Sequence, residues 1–219
     1  IGVDIDKMNA LADMYIKDKI PNWHLYNSTS SIYDIAQTVF QPLMLREHFR
    51  CVPDIIGFSN AFCYDYKIKP LRDTSDCKLI PAIVNYRTSG VRERKINKVE
   101  AETITALIMA CLNTPEYDKK TIGIISLLGD DQAKLIQKML FEHIEPAVME
   151  ERRILCGDAS HFQGDERDVI FLSMVDSNDS DGPLKMISSG PGESTKKRYN
   201  VAASRAKDQL WVINSIDEE

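Results

Sequence analysis

The sequence contains no GxxxxGK[ST] stretch, so it holds no loop of its own for cradling a triphosphate. It has no apolar run long enough to span a bilayer and no signal-peptide pattern near its start, which points to a soluble cytoplasmic protein with no membrane partner. CxxC pairs and HExxH spacing are missing as well. Five cysteines (Cys51, Cys63, Cys77, Cys111 and Cys156) lie scattered among four histidines, so neither a metal centre nor a disulfide framework is expected and the thiols read as reduced. A net positive charge is absent too. A formal net charge of −6 suits tight, nonspecific binding to a polyanion poorly, because that needs Lys and Arg gathered against phosphates, so any such binding is local or shared.

What remains is an ordinary globular composition, with 219 residues, 43% hydrophobic and 27% charged. Such a length suits one α/β domain burying roughly 70% of its unfolded surface, or at most one domain with an appendage. Three β-type runs, "LIPAIVNY" (79–86), "TIGIISLL" (121–128) and "DVIFLSMV" (168–175), each lead into a loop or helix, as parallel strands with crossovers do. "RRILCG" (152–157) and "QLWVINS" (209–215) bring the count to five. Between them stand helix signals. "NKVEAETITALIMACL" opens with Asn97 and carries Glu100 three residues on, the spacing of a capping box. "GDDQAKLIQKMLFEHI" sets Asp130 and Asp131 at the positive end of its dipole, and "PDIIGFSNAF" opens with Pro53 at a first-turn position. The first residues show helical spacing at Ile5, Met8, Leu11, Ala12 and Tyr15, and are expected to belong to a longer protein. The stretch 176–197, rich in Asp, Ser, Gly, Pro and Lys, is expected to be a long flexible loop.

Three stretches can carry chemistry. In "SHFQGDERDVIFLSMV" (160–175), Gly164 supplies a flexible point and Asp165, Glu166, Arg167 and Asp168 supply four charges ahead of a buried strand. Glu166 can accept from a sugar hydroxyl and Gln163 can both donate and accept; a polar turn with ion pairs among Asp165, Glu166 and Arg167 is the plainer alternative. In "LMLREHFRCVPDIIGFSN" (43–60), Arg46 and Arg50 precede the helix opened by Pro53, and either can reach an anion or a surface carboxylate. In "RYNVAASRAK" (198–207), Ala202, Ala203 and Ala206 allow close packing, and Arg198 and Arg205, seven apart, would share one side of a continuous helix. Asp176, at the end of a strand, reads as the start of a loop.

In this order and spacing, "LREHFRCVPDIIGFSN", "IGIISLLGDDQAKLIQ", "SHFQGDERDVIFLSMV" and "RYNVAASRAK" resemble the successive C-terminal motifs of superfamily 1 helicases, in the branch that includes the nonsense-mediated-decay helicase and its bacterial relatives. The resemblance runs from Leu43 to Ser215 and is most specific in "FQGDERD" and "NVAASRAK" taken together. It implies a RecA-like domain of the P-loop NTPase fold, the second of two motor domains, with residues 1–42 as a tail from the first and 43–219 as the domain itself. ATP and Mg2+ would then be bound mainly by the first domain, and the partners would be that domain and single-stranded DNA or RNA. By the same resemblance Arg50 and Arg205 correspond to the arginines of motifs IV and VI that reach the γ-phosphate. Gly164 and Glu166, with Gln163 beside them, correspond to the motif V elements near the ribose. Ser126 and Ser160 correspond to positions along the nucleic-acid backbone. His48 stands where the family has Gln, and "SLLGDDQ" stands where it has a "TPY" type of run. A noncatalytic RecA-like domain that binds protein or nucleic acid is the alternative.

Overall fold

The computed structural model describes residues 4–27, 30–178, 184 and 193–216, and the chain divides into two compact units, Ile1–Leu45 and Arg46–Glu219. In the first unit, α1 (Ile5–Tyr15) starts at Asp4, whose carboxylate accepts from Lys7 N at 3.0 Å, and α2 (Ile32–Ala36) starts at a reciprocal capping box between Ser31 and Asp34. Neither helix contains a buried residue, so local caps rather than packing define their ends.

The second unit runs β1 (Glu47–His48), α3 (Pro53–Cys63), β2 (Lys69–Pro70), β3 (Ile83–Arg87), α4 (Lys98–Leu112), β4 (Ile122–Ser126), α5 (Asp130–His143), α6 (Pro146–Glu151), β5 (Leu155–Asp158), β6 (Arg167–Ser177), α7 (Glu193–Ala203) and β7 (Ala206–Ser215). Strands β1 and β2 form a small parallel ribbon, and the other five form a sheet in the order β3-β7-β6-β4-β5, parallel throughout. All five expected strands are present, with ends moved by up to four residues. The fold is α/β, a parallel sheet flanked by helices.

Each central strand sends alternate residues to opposite cores, which explains why their sequences are apolar runs rather than alternating patterns. On one side Ile125, Ile170, Leu172 and Leu210 pack with Ile55 and Ile56 of α3 and with Ala202 and Ala203 of α7. On the other, Ile122, Ile124, Val169, Phe171 and Ile213 pack with Ile104 and Ile108 of α4 and with Ile136 and Leu140 of α5. The segment between β5 and β6 runs back over the first side, and Phe162 anchors it. A Cβ placed on Gly123 would lie 2.8 Å from the Phe162 ring and 2.6 Å from Ile170 Cδ1. Gly123→Ala is therefore expected to destabilise the chain by about 1–3 kcal/mol through overpacking. Chemical denaturation checks this, and an unchanged midpoint would mean that the segment does not lie on Gly123.

Four local expectations change. Asn97 caps α4, accepting from Glu100 N at 3.1 Å, but the Glu100 carboxylate does not return to the Asn97 amide, which donates instead to Gln132 Oε1 at 2.9 Å. Asp176 does not start a loop: it lies inside β6, wholly buried, and accepts from Arg92 Nε at 2.7 Å. The stretch 176–197 is not all loop, since its first two residues belong to β6 and its last five to α7. Most of the rest lies outside the described residues. Finally, the helix carrying Ala202 and Ala203 stops there. Arg205 sits in the following turn and Ala206 opens β7, so Arg198 and Arg205 do not share a helix face. The cause is nonlocal, because Arg167 N donates to Arg205 O at 3.0 Å and draws the chain into the sheet.

Candidate functional site

The expected site residues fall into two groups at opposite ends of the parallel strands. At the starting end, Arg205 immediately precedes β7 and Glu166 immediately precedes β6, and these strands pair from Arg167 against Ala206 onward. Arg50 arrives from the loop before α3. That loop is fixed by hydrogen bonds from backbone amides: Cys51 N donates to the His48 ring at Nε2 at 3.0 Å, Val52 N to Lys207 O at 2.9 Å, and Leu71 N to His48 O at 2.8 Å. His48 is thus an acceptor here, and burial, reinforced by the charge of Arg50, lowers its pKa and favours the neutral ring this role needs. Arg72, which sequence reasoning missed, donates to the carbonyls of Arg50 and Lys207 and pairs with the buried Asp208. A single arginine in "LRDTSDCK" carries no signal that could have marked it.

Arg50 Nε donates to Glu166 Oε2 at 2.6 Å, and its Nη1 reaches Ser204 O at 3.4 Å. Both side chains of this pair remain open to solvent, 34% for Arg50 and 43% for Glu166. Arg205 is half-buried; its Nη1 lies 3.4 Å from Asp165 O, and its buried Nε has no acceptor among the described residues. Burial first, and then the adjacent charge of Arg50, lower the pKa of Arg205. The Asp165 carboxylate does not balance the pair, because it accepts from Arg167 Nη1 at 2.6 Å, and that bond holds its pKa down. Arg50 therefore takes the Glu166 carboxylate, and Arg205 beside it keeps a donor unused among the described residues. An anion fits this arrangement on charge and on donor count.

Gly164 and Gln163 lie in the exposed turn next to Glu166, closed by Gln163 N to Ser160 O at 3.1 Å and Asp165 N to Phe162 O at 3.0 Å. Gly164 has φ +84°, with no atom within 4 Å of where a Cβ would stand, so glycine is required by the turn and leaves its outer side open. Cys51 nearby is inert, since burial pushes its thiol up to about 12.

At the finishing end of the strands, Ser126 and Ser160 part company. Ser126 is wholly buried, with no hydrogen bond to its Oγ among the described residues, so the expected direct contact with a nucleic-acid backbone is not available to its side chain. It ends a strand whose five residues are all covered on both faces. Ser160 is exposed, at the mouth of a cavity of about 390 Å³ lined by Lys95, Leu127, Leu128, Gly129, Asp158, Ala159, Ser160 and Arg198. Arg198 is held there by Leu127 O at 3.1 Å. Asp158 collects Ser160 Oγ at 2.5 Å and His161 Nδ1 at 2.9 Å; burial would raise its pKa, but these bonds and those from the two backbone amides outweigh it and hold the acid at about 2. Asp130, Asp158 and His161 place one potential ligand atom each within 4.8 Å of one another, a grouping that no sequence spacing announced.

Fold and site together define a parallel α/β domain that carries paired arginines at its strand starts and a cation-lined pocket at its strand ends. The family model of the AAA domain (AAA_12) matches residues 28–217, and the chain belongs to that family. It is 28% identical over 185 residues to the uncharacterized ATP-dependent helicase MG140 of Mycoplasma genitalium, covering 78% of this chain and 16% of that protein. The MG140 homolog of Mycoplasma pneumoniae is 27% identical over 202 residues, with 86% and 17% covered. The 5'-3' DNA helicase ZGRF1 of Mus musculus is 23% identical over 184 residues, with 80% and 9% covered. The chain spans less than a fifth of the length of these relatives. Among solved structures, the C-terminal domain of a possible DNA helicase from Lactobacillus plantarum WCFS1 overlays 76% of this chain and 87% of its own, at 11% identity and a TM-score of 0.47. Among the described residues, no helix is long and apolar enough to cross a membrane.

Proposed function

We propose that this chain is the second RecA-like domain of an ATP-dependent nucleic-acid helicase or translocase. One observation carries the proposal: Arg50 and Arg205, 155 positions apart in sequence, come together at the strand starts, Arg50 paired with Glu166 and Arg205 near enough to feel both charges while its Nε has no acceptor among the described residues. In the whole protein ATP and Mg2+ would sit mainly on the first motor domain, and bound Mg2+ would neutralise charge on the phosphates. This chain would supply Arg50 and Arg205 to the charge that develops on the transferred phosphoryl group, while Glu166 and the Gln163–Gly164 turn would face the ribose. Glu166 also holds the Arg50 fork in place. At the far end, Ser160, Lys95 and Arg198 would meet one strand of DNA or RNA. A cytoplasmic location accompanies this assignment.

The 219-residue chain alone is expected to have no appreciable ATPase activity, because it lacks a phosphate-cradling loop. The longer protein is expected to hydrolyse ATP, and to do so faster when single-stranded nucleic acid is added. Turnover that scales with the concentration of the isolated chain would defeat the assignment; a longer protein inactive under all these conditions would favour a noncatalytic binding module.

A further inference from the structure

Under the finishing ends of the strands lies a polar cluster that belongs to neither group of site residues. Glu100, in the first turn of α4, is wholly buried. Its Oε2 accepts from Ser173 Oγ at 2.7 Å and Val175 N at 2.9 Å, and its Oε1 accepts from Ser215 Oγ at 3.1 Å and Asn97 Nδ2 at 3.4 Å. The arrangement suits an ionised carboxylate, which accepts and never donates. No described cation bonds to it. Facing it are neutral Gln132 from α5, Asn97 at the start of α4, Ser215 from β7 and Ser173 from β6. The charged neighbour is Asp176 of β6, which opposes ionisation and is itself paired with Arg92 at 2.7 Å.

A proton arriving on Glu100 needs an acceptor. Ser173 Oγ already accepts from Gln132 Nε2 at 3.1 Å, and it donates its own proton to Glu100. Ser215 has an alternative, because Thr88 Oγ1 lies 2.6 Å from its Oγ. Thr88 is half-buried and lines an open cavity of about 540 Å³ with Tyr86, Arg87, Ser89, Val99 and Thr103. The two hydroxyls therefore connect the buried carboxylate to solvent.

We propose that Glu100, Ser215 and Thr88 form a proton-operated latch on the end of β6. Thr88 takes a proton from a hydronium ion in the solvent, leaving water, and gives its own to Ser215, and Ser215 gives its own to Glu100. Each hydroxyl finishes with one proton, and the carboxylate becomes a carboxylic acid donating to Ser215. What the latch holds is Val175, a β-branched residue at φ +67° where the β6–β7 register shifts between Ser173 and Ser177. That conformation is costly, and it is braced by Val175 N donating to Glu100 and by Asn97 Nδ2 donating to Val175 O at 3.3 Å. Neutralising the acceptor removes the charge assistance from the first of these bonds. Burial raises the Glu100 carboxyl to about 7, against the downward pull of the bonds from Ser173, Val175 and Ser215, so the latch turns over near neutral pH.

The test is a carbon-13 titration of the chain labelled at its glutamate carboxyls, with amide exchange followed at Val175. The Glu100 carboxyl should titrate near 7, and Val175 exchange, corrected for intrinsic pH dependence, should quicken several-fold below that midpoint. Thr88→Val keeps the shape of the side chain and removes the acceptor for Ser215, so proton affinity at Glu100 should fall by roughly tenfold, the loss of one buried hydrogen bond. Because the folded value lies above the unfolded one, the contribution to stability is fully present below about 4.5 and is lost as pH rises through about 7. The melting temperature of the native chain relative to Glu100→Gln should fall over that window. A Glu100 midpoint below about 5, in the ordinary carboxylate range, would overturn the latch, as would Val175 exchange indifferent to it or a Thr88→Val midpoint equal to that of the native chain. If Glu100→Gln fails to fold, the titration and the Thr88→Val comparison still decide.

Discussion

Arg205→Ala in the longer protein is expected to lower kcat for ATP hydrolysis by at least about a hundredfold, while ATP binding weakens far less. The reason lies in how little this chain does with the side chain. One long bond to Asp165 O, and an Nε with no acceptor among the described residues, leave the guanidinium without a strong structural role, so its donors are available to charge formed elsewhere. Arg205→Lys should restore little, because an ammonium lacks the planar fork. The melting temperature of the 219-residue chain should hardly change in either variant, which separates chemistry from folding. Single-turnover hydrolysis is the deciding measurement, and a near-normal rate in Arg205→Ala would return the residue to a packing role.

Arg92→Met should cost the chain about 3–5 kcal/mol of stability, the usual consequence of stripping one partner from a buried ion pair. Arg92 is 3% exposed and Asp176 0%, and Nε stands 2.7 Å from Oδ1, so truncation leaves a carboxylate under the surface without this counter-charge. For a chain of this size the loss corresponds to a melting temperature lower by roughly 10 °C. The double variant Arg92→Met, Asp176→Leu should recover a large part of the loss, because two apolar side chains need no counter-charge. Thermal unfolding followed by circular dichroism measures both. A single variant within about 1 kcal/mol of the parent would show that the pair carries no net stability.

Much of the architecture can be read from local pattern. Apolar runs mark strands covered on both faces, Asn97 marks the start of α4, and Pro53 marks the start of α3. Failures occur where a partner distant in sequence decides. Glu100 has the spacing of a capping residue, but Ser173 and Val175, more than seventy positions away, capture its carboxylate. Helical spacing continues past Ala203, but pairing with Arg167 converts the next residues into a turn and a strand. Ser126 belongs to a run so uniformly apolar that nothing in it tells a covered end from an open one. Within the candidate site, the meeting of Arg50, Glu166 and Arg205 follows from motif order, whereas Arg72, which sits between two of the motifs, has no pattern around it.

Arg72 also sets a limit on how this chain can vary. By gripping the carbonyls of Arg50 and Lys207 together with Asp208, it pegs the loop before α3 and the beginning of β7 to a common point. A small drift of either segment is carried to the other as a shared displacement. The distance between the Arg50 and Arg205 backbones is then held to a tight positional tolerance, while the position of the pair as a whole is free to adjust. Substitutions nearby can thus move both guanidinium groups in step, but pulling them apart requires losing an arginine that belongs to neither motif.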